Sequence, residues 1–157
     1  MKYIAAYCAT LTLLVLPAVA APTAPFPDVP AKHWAAGAVG RVAARKLMTG
    51  DPTGKFNGNK PVTRYELAVT LDRLVRYMED AHKPLSATPD RPVHLPKAAP
   101  SAAQAALRHL VGGGFLPTTS PIVIKDGTKP VTASELTNAL AQVTIRLSDR
   151  SLPPQQD

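Results

Sequence analysis

The sequence has little cysteine, little aromatic surface and little charge. Cys8 is the one cysteine in 157 residues, so an intramolecular disulfide and a cysteine-based zinc site are both excluded. Aromatic residues are 5% of the chain, which leaves Ala, Leu and Val to build a thin core. Charged residues are 18%, below the usual value of about 25%. A nucleic-acid binder driven by dense phosphate contacts is therefore disfavoured, even with a pI near 9.8. No apolar run reaches the roughly 20 residues that span a membrane as a helix.

What is present is proline, 17 residues in all, and an apolar fraction of 45%. The proline demands long non-helical stretches, and the apolar fraction is enough for a globular core. A chain of this length holds one domain or two very small ones.

The first twenty residues read as an export signal. Lys2 is a short positive region, Ile4 to Leu16 is apolar, and Ala18 and Ala20 are the small residues that precede cleavage. Cleavage after Ala20 leaves 137 residues with no cysteine and a net charge of +6. The expected location is the cell wall, cell surface or periplasm of a bacterium, with no integral membrane segment left after cleavage.

The remaining chain repeats itself. Lys60-Pro61-Val62-Thr63-Arg64-Tyr65-Glu66-Leu67 returns as Lys129-Pro130-Val131-Thr132-Ala133-Ser134-Glu135-Leu136, 69 positions later. Val39, Val42 and Leu47 correspond to Leu107, Leu110 and Phe115 at an offset of 68. Between the copies, five prolines from Pro84 to Pro100 predict an extended, semi-rigid strap. The expected organisation is a signal peptide at 1–20, a module at 26–80, a linker at 81–100, a second module at 101–150 and a tail at 151–157.

The fold class predicted is mainly all-α, with each copy a helix-loop-helix. In the first copy, Trp34, Ala38 and Val42, with Ala35, Val39 and Ala43, make an apolar stripe at helical spacing. Leu47-Met48-Thr49-Gly50 is expected to end that helix, with Gly50 in a left-handed position. Asp51-Pro52-Thr53-Gly54 has the residues of a tight turn, and Phe56 is expected to fall back on the core. Thr63 with Glu66 is a capping box for the second helix, whose stripe is Leu67, Leu71, Leu74, Val75 and Met78. In the second copy, Ser101 with Gln104 is a similar start. Ala103, Leu107, Leu110 and Val111 form the stripe, and Gly112-Gly113-Gly114 stops it. Thr132 with Glu135 caps the last helix, with Leu136, Leu140, Val143 and Leu147 as its expected buried side. Ile122-Val123-Ile124 fits either a short strand or a buried loop. Two helices have little core of their own, so such units stack.

The first copy resembles an S-layer homology module. The resemblance is carried by Phe26-Pro27-Asp28-Val29, His33-Trp34-Ala35, Leu47-Met48-Thr49-Gly50, Gly54-Lys55-Phe56 and Val62-Thr63-Arg64-Tyr65-Glu66-Leu67, in that order. The second copy lacks the Trp and the opening motif and has Ala133 where the signature has Arg, so it looks degenerate. The resemblance implies non-covalent attachment to anionic cell-wall polysaccharide or peptidoglycan-linked, often pyruvylated, polymer. It implies that Arg64 holds a carboxylate, that Gly50 lets a sugar approach the backbone, and that Trp34 stacks on a sugar or props the groove. Thr63 would set the helix cap that aims Arg64.

The residues themselves leave alternatives open. A cation in the first turn opposes the helix dipole, which is easier to explain if an anion joins it. Arg64 could equally be a plain surface charge or bridge Glu66 or Asp51. Trp34 alone reads as core, and Gly50 alone as a helix C-cap. His33, His82, His94 and His109 have no metal-ligand spacing, and no catalytic constellation is visible. The net charge is +3 over 26–80, +2 over 81–100 and +1 over 101–157, so the basic bias suits an acidic wall polymer. The expectation is a non-catalytic anchor or adaptor with no cofactor and no metal. It would bind wall glycan, alone or as a homo-oligomer or with other S-layer homology proteins, and not nucleic acid. The competing reading is a structural envelope module that oligomerises through its helices without glycan.

Overall fold

The computed structural model describes residues 25–81 and 99–151. The export signal, most of the proline-rich strap and the final residues, all read above from sequence, lie outside them. The described chain is helical: α1 (Ala36–Ala44), α2 (Arg64–Ala81), α3 (Ser101–Gly112), α4 (Pro121–Ile124) and α5 (Ala133–Ser151). Among the described residues there is no strand, only one isolated antiparallel bridge between Thr63 and Pro130.

Helix α1 starts later than its stripe suggests. The chain turns through His33, whose carbonyl accepts from Ala36 N at 2.9 Å and whose Nδ1 accepts from Ala35 N at 3.2 Å. Trp34 therefore precedes the helix and is not part of its buried face. The helix also ends earlier than expected. Lys46, not Gly50, takes the left-handed conformation at φ 57°. Lys46 N donates to Ala43 O, and Leu47 N donates to Val42 O at 2.9 Å. Gly50 is glycine for another reason: a Cβ there would come within 2.7 Å of the Phe26 ring and 2.9 Å of Lys55 O. The second half ends α3 in the same way. Gly114 is left-handed at φ 73°, and Phe115 N donates to Leu110 O at 2.8 Å.

Both capping boxes form. Thr63 N donates to Glu66 Oε2 at 2.8 Å, and Glu66 N donates back to Thr63 Oγ1 at 3.2 Å. Thr132 and Glu135 repeat this at 3.1 and 3.3 Å. Ser101 does not act as a cap: α3 starts after Pro100 without a side-chain cap, and Gln104 Nε2 donates to Ala99 O at 2.8 Å instead. Ile122-Val123-Ile124 is neither strand nor loop but the single turn α4, opened by Pro121 at the first helical position, where a missing N–H costs nothing. Ile122 and Val123 are buried, while Ile124 is exposed.

Helix α2 is the centre of the molecule. It makes its most extensive contact with α3, and it also touches α4 and α5. Leu67, Ala68, Leu71 and Val75 of α2 meet Leu107, Leu110 and Val111 of α3, sealed by Phe115, Leu116, Ile122 and Val123. Leu74 and Met78, expected in the buried stripe, are only half-buried. Helix α5 contributes a different face from the one expected. Ala139 and Val143 are buried, with Leu147 packed partly against them, whereas Leu136 and Leu140 are 36% and 41% exposed. The buried line starts at Glu135, because that carboxylate is drawn inward by a cation of the first half, and a helix four residues per step then buries 139 and 143.

A second interlock joins the α2 and α3 sides. His109 Nδ1 lies 2.5 Å from Asp72 Oδ1 and its Nε2 lies 3.3 Å from Glu79 Oε2. Burial works against the Asp72 charge, but the hydrogen bonds from His109 and Arg76 outweigh it and hold the carboxyl below its ordinary value.

The two leucines that the sequence treats alike should therefore behave differently. Leu71→Ala is expected to lower stability by about 2–5 kcal/mol, as for a fully buried leucine. Leu140→Ala in the same dilute protein should cost less than about 1 kcal/mol, as surface positions do. Urea unfolding followed by circular dichroism measures both.

Candidate functional site

The site expected around Arg64 is closed. Arg64 is 7% exposed, and its guanidinium faces the cap of α5. Nη2 donates to Glu135 Oε2 at 2.8 Å and to Oε1 at 3.0 Å, Nε donates to Oε2 at 3.1 Å, and Nη1 donates to the Asp126 carbonyl at 3.1 Å. All three nitrogens are thus engaged within the protein. The anion that joins this first-turn cation is the chain's own Glu135, 71 residues away, and not Glu66 or Asp51. The expectation of an open guanidinium is corrected on that ground: planar guanidinium and carboxylate match bidentately, and here the carboxylate is internal.

The first-turn amides of α2 are occupied too. Arg64 N donates to Lys129 O at 3.1 Å and Tyr65 N to Gly127 O at 3.0 Å, while Val131 N donates to Val62 O at 2.8 Å. Gly127 must be glycine, since a Cβ there would lie about 2.0 Å from the Tyr65 ring. The helix N-terminus is sealed by the loop of the second half, so it offers no open place for a ligand anion. Thr63 is half-buried and spent on its cap and on the bridge to Pro130. Gly50 is covered by Phe26.

The Glu135 carboxyl is held well below the usual carboxylate range, its pKa lowered to about 2. The Arg64 hydrogen bonds contribute most, then Lys125 Nζ at 2.8 Å, then Thr132 N.

Of the site residues expected from sequence, Trp34 is the one that stands exposed. It is 90% exposed, against the reading that a lone Trp in this pattern is core. Its ring lies 5.6 Å from the His33 ring, tilted by 34°. The two line a hollow of about 780 Å³ together with Phe56, Asn57, Asn59 and Lys60. Ala35 and Val39 add apolar surface to its lining.

Two aspartates hold this hollow in shape. Asp28 Oδ1 accepts from Phe56 N at 2.8 Å and its Oδ2 accepts from Asn57 N at 2.7 Å. Asp51 Oδ1 accepts from Thr53 N, Thr53 Oγ1 and Lys55 N, and its Oδ2 accepts from Asn57 Nδ2 at 2.5 Å. These bonds lower the carboxyls of both, chiefly through Phe56 N for Asp28 and Thr53 Oγ1 for Asp51. They tie the opening loop to the loop that carries Lys60, and Phe26 stacks on Phe56 with ring centres 5.4 Å apart. Lys60 itself is largely exposed and reaches Glu66 Oε1 at 3.1 Å. Of the four residues singled out from sequence, the hollow contains Trp34 alone. His33, Asn57, Asn59 and Lys60 were not singled out, although His33 and Lys60 each stand at the edge of a motif that was.

Residues 25–68 match the S-layer homology domain family. The chain is 42% identical over 71 residues to the outer membrane protein SlpA of Deinococcus radiodurans, covering 45% of this chain and 6% of that protein. It is 42% identical over 66 residues to the outer membrane protein SlpA of Thermus thermophilus, covering 42% and 7%. It is 29% identical over 75 residues to the S-layer protein EA1 of Bacillus anthracis, covering 45% and 9%. The chain thus spans less than a tenth of the length of these relatives. No solved structure matches it.

The sealed pair sets the acid response. A carboxyl lowered in the fold stabilises fully above its unfolded value near 4.5 and ceases to do so as pH falls through about 2. Thermal melts between pH 6 and 2 should show stability falling across that window. Glu135→Gln should flatten this part of the profile and lower the melting temperature at pH 6. Arg64→Ala should lower it more than Lys60→Ala does, because Lys60 belongs to an exposed pair.

Proposed function

We propose that the protein, whose residues 25–68 match the S-layer homology domain family, is a non-catalytic component of the bacterial envelope that docks on acidic cell-wall glycan. It serves as an anchor or adaptor. The site is the hollow beside Trp34, and the role expected of Arg64 passes to Lys60 and His33. The observation that carries this reading is a tryptophan with 90% of its surface open, lining one hollow with two asparagines and a lysine whose pair with Glu66 is exposed. A large apolar ring held in water is costly unless something covers it, and Trp is prominent among residues that dominate recognition surfaces.

The chemistry fits a sugar polymer. An indole face accepts the apolar C–H side of a pyranose, the asparagines offer both donors and acceptors to hydroxyls, and Lys60 offers a cation to a carboxylate or ketal acid. The hollow is lined by loops that are tied by hydrogen bonds, so it is preorganised and little ordering entropy is lost on binding. The names of the relatives, outer membrane and S-layer proteins, agree with a place in the envelope.

Co-sedimentation with purified cell wall tests the reading. Trp34→Ala, checked for an unchanged helical spectrum, should weaken binding by about tenfold or more. Lys60→Ala should weaken it less and reduce its salt dependence. Binding by Trp34→Ala equal to that of the parent would remove the site.

A further inference from the structure

Helix α2 ends without a cation of its own. Its last turn holds no basic residue, while Glu79 and Asp80 stand at the negative end of the helix, where acidic charge is unfavourable. The neighbouring helix supplies the cation. His109, in the last turn of α3, lies between two carboxylates of α2: Nδ1 is 2.5 Å from Asp72 Oδ1, and Nε2 is 3.3 Å from Glu79 Oε2. Asp72 and Glu79 are seven residues apart, two turns of helix, so they share a face and one imidazole reaches both. Arg76, also on α2, stands behind Asp72, with Nε donating to Oδ2 at 3.0 Å. The buried Phe115 ring backs the imidazole, with ring centres 5.9 Å apart.

A ring nitrogen that faces a carboxylate oxygen satisfies it only by donating a proton to it. Both nitrogens of His109 face such an oxygen, so the arrangement is complete only when the imidazole carries two protons. We infer that His109 is a protonation-dependent latch on the last turn of α2, closed as the imidazolium and opened at Glu79 when one proton leaves.

The two carboxylates decide which contact opens. Asp72 is the nearer and the less exposed, with 13% of its side chain open against 29% for Glu79, so the neutral ring keeps its proton on Nδ1. The Nε2 lone pair then points at Glu79 Oε2, and donation gives way to repulsion. The Asp72 bond and the apolar contact of α2 with α3 persist, so the molecule stays folded while Glu79, Asp80 and Ala81 lose their tether. The end of α3 acts in the same direction, because a positive ring is favourable at a helix C-terminus and a neutral one gains nothing there. The latch is therefore present on the acid side and is lost as pH rises and the ring gives up a proton.

Nuclear magnetic resonance of the full chain between pH 5.5 and 8.5 tests this on two observables. The imidazole nitrogen signals of His109 should show two protonated nitrogens at pH 5.5 and, at pH 8.5, a single proton on Nδ1. Hydrogen-exchange protection of the Glu79, Asp80 and Ala81 amides, corrected for the intrinsic exchange rate, should fall by about threefold or more over the same range, in step with the ring. Glu79→Gln should abolish the fall, because an amide either accepts from Nε2–H or donates to the bare nitrogen. His82→Gln should preserve it, which separates His109 from the histidine that follows α2 in the sequence. A His109 ring with one proton at pH 5.5, protection that stays level, an unchanged fall in Glu79→Gln, or loss of the fall in His82→Gln would each overturn the inference. Trp34 is untouched and glycan is absent, so the outcome is separate from wall binding.

Discussion

The buried pair between Arg64 and Glu135 is the constraint on which the remaining structure depends. It joins the first turn of α2 to the first turn of α5, and both of its members sit inside capping boxes. Lys125 and the Asp126 carbonyl complete the shell, so the charges are hydrogen-bonded as well as paired. A buried pair of this kind is a poor source of net stability relative to an apolar contact, but removing one member leaves a stranded charge. In this structure it fixes the register in which the first turn of α2 meets the first turn of α5.

That register determines which surfaces remain for function. With the guanidinium and the first-turn amides of α2 used internally, the anion-attracting features expected there serve cohesion. The hollow of the first half is left open, where Asp28 and Asp51 clamp the loops and Trp34 and Lys60 share one lining. Fastening the halves and, in the proposed function, meeting the wall thus fall to separate residues a few positions apart.

Much of this was legible in the sequence, and the missing parts have definite physical causes. The capping boxes at Thr63 and Thr132 and the glycine stop after α3 are local signals, written within four residues, and they form as read. The all-helical class follows from periodicity. The partner of Arg64 was not legible, because a pairing across 71 residues leaves no local trace. The face of α5 was misread because that helix carries two apolar lines, one through Ala139 and Val143 and one through Leu136 and Leu140. Periodicity finds both but does not say which one a neighbour covers. Trp34 was ambiguous for a similar reason: its spacing continues the α1 stripe, yet the turn at His33 delays the start of the helix to Ala36.

The most direct measurement is a nuclear magnetic resonance titration of the protein with a soluble acidic wall-glycan fragment, following the Trp34 indole N–H and the Arg64 Nε–H together. The account predicts a saturable shift of the indole signal while the Arg64 signal stays at its free-protein position. A shift at Arg64 with a silent indole would contradict it.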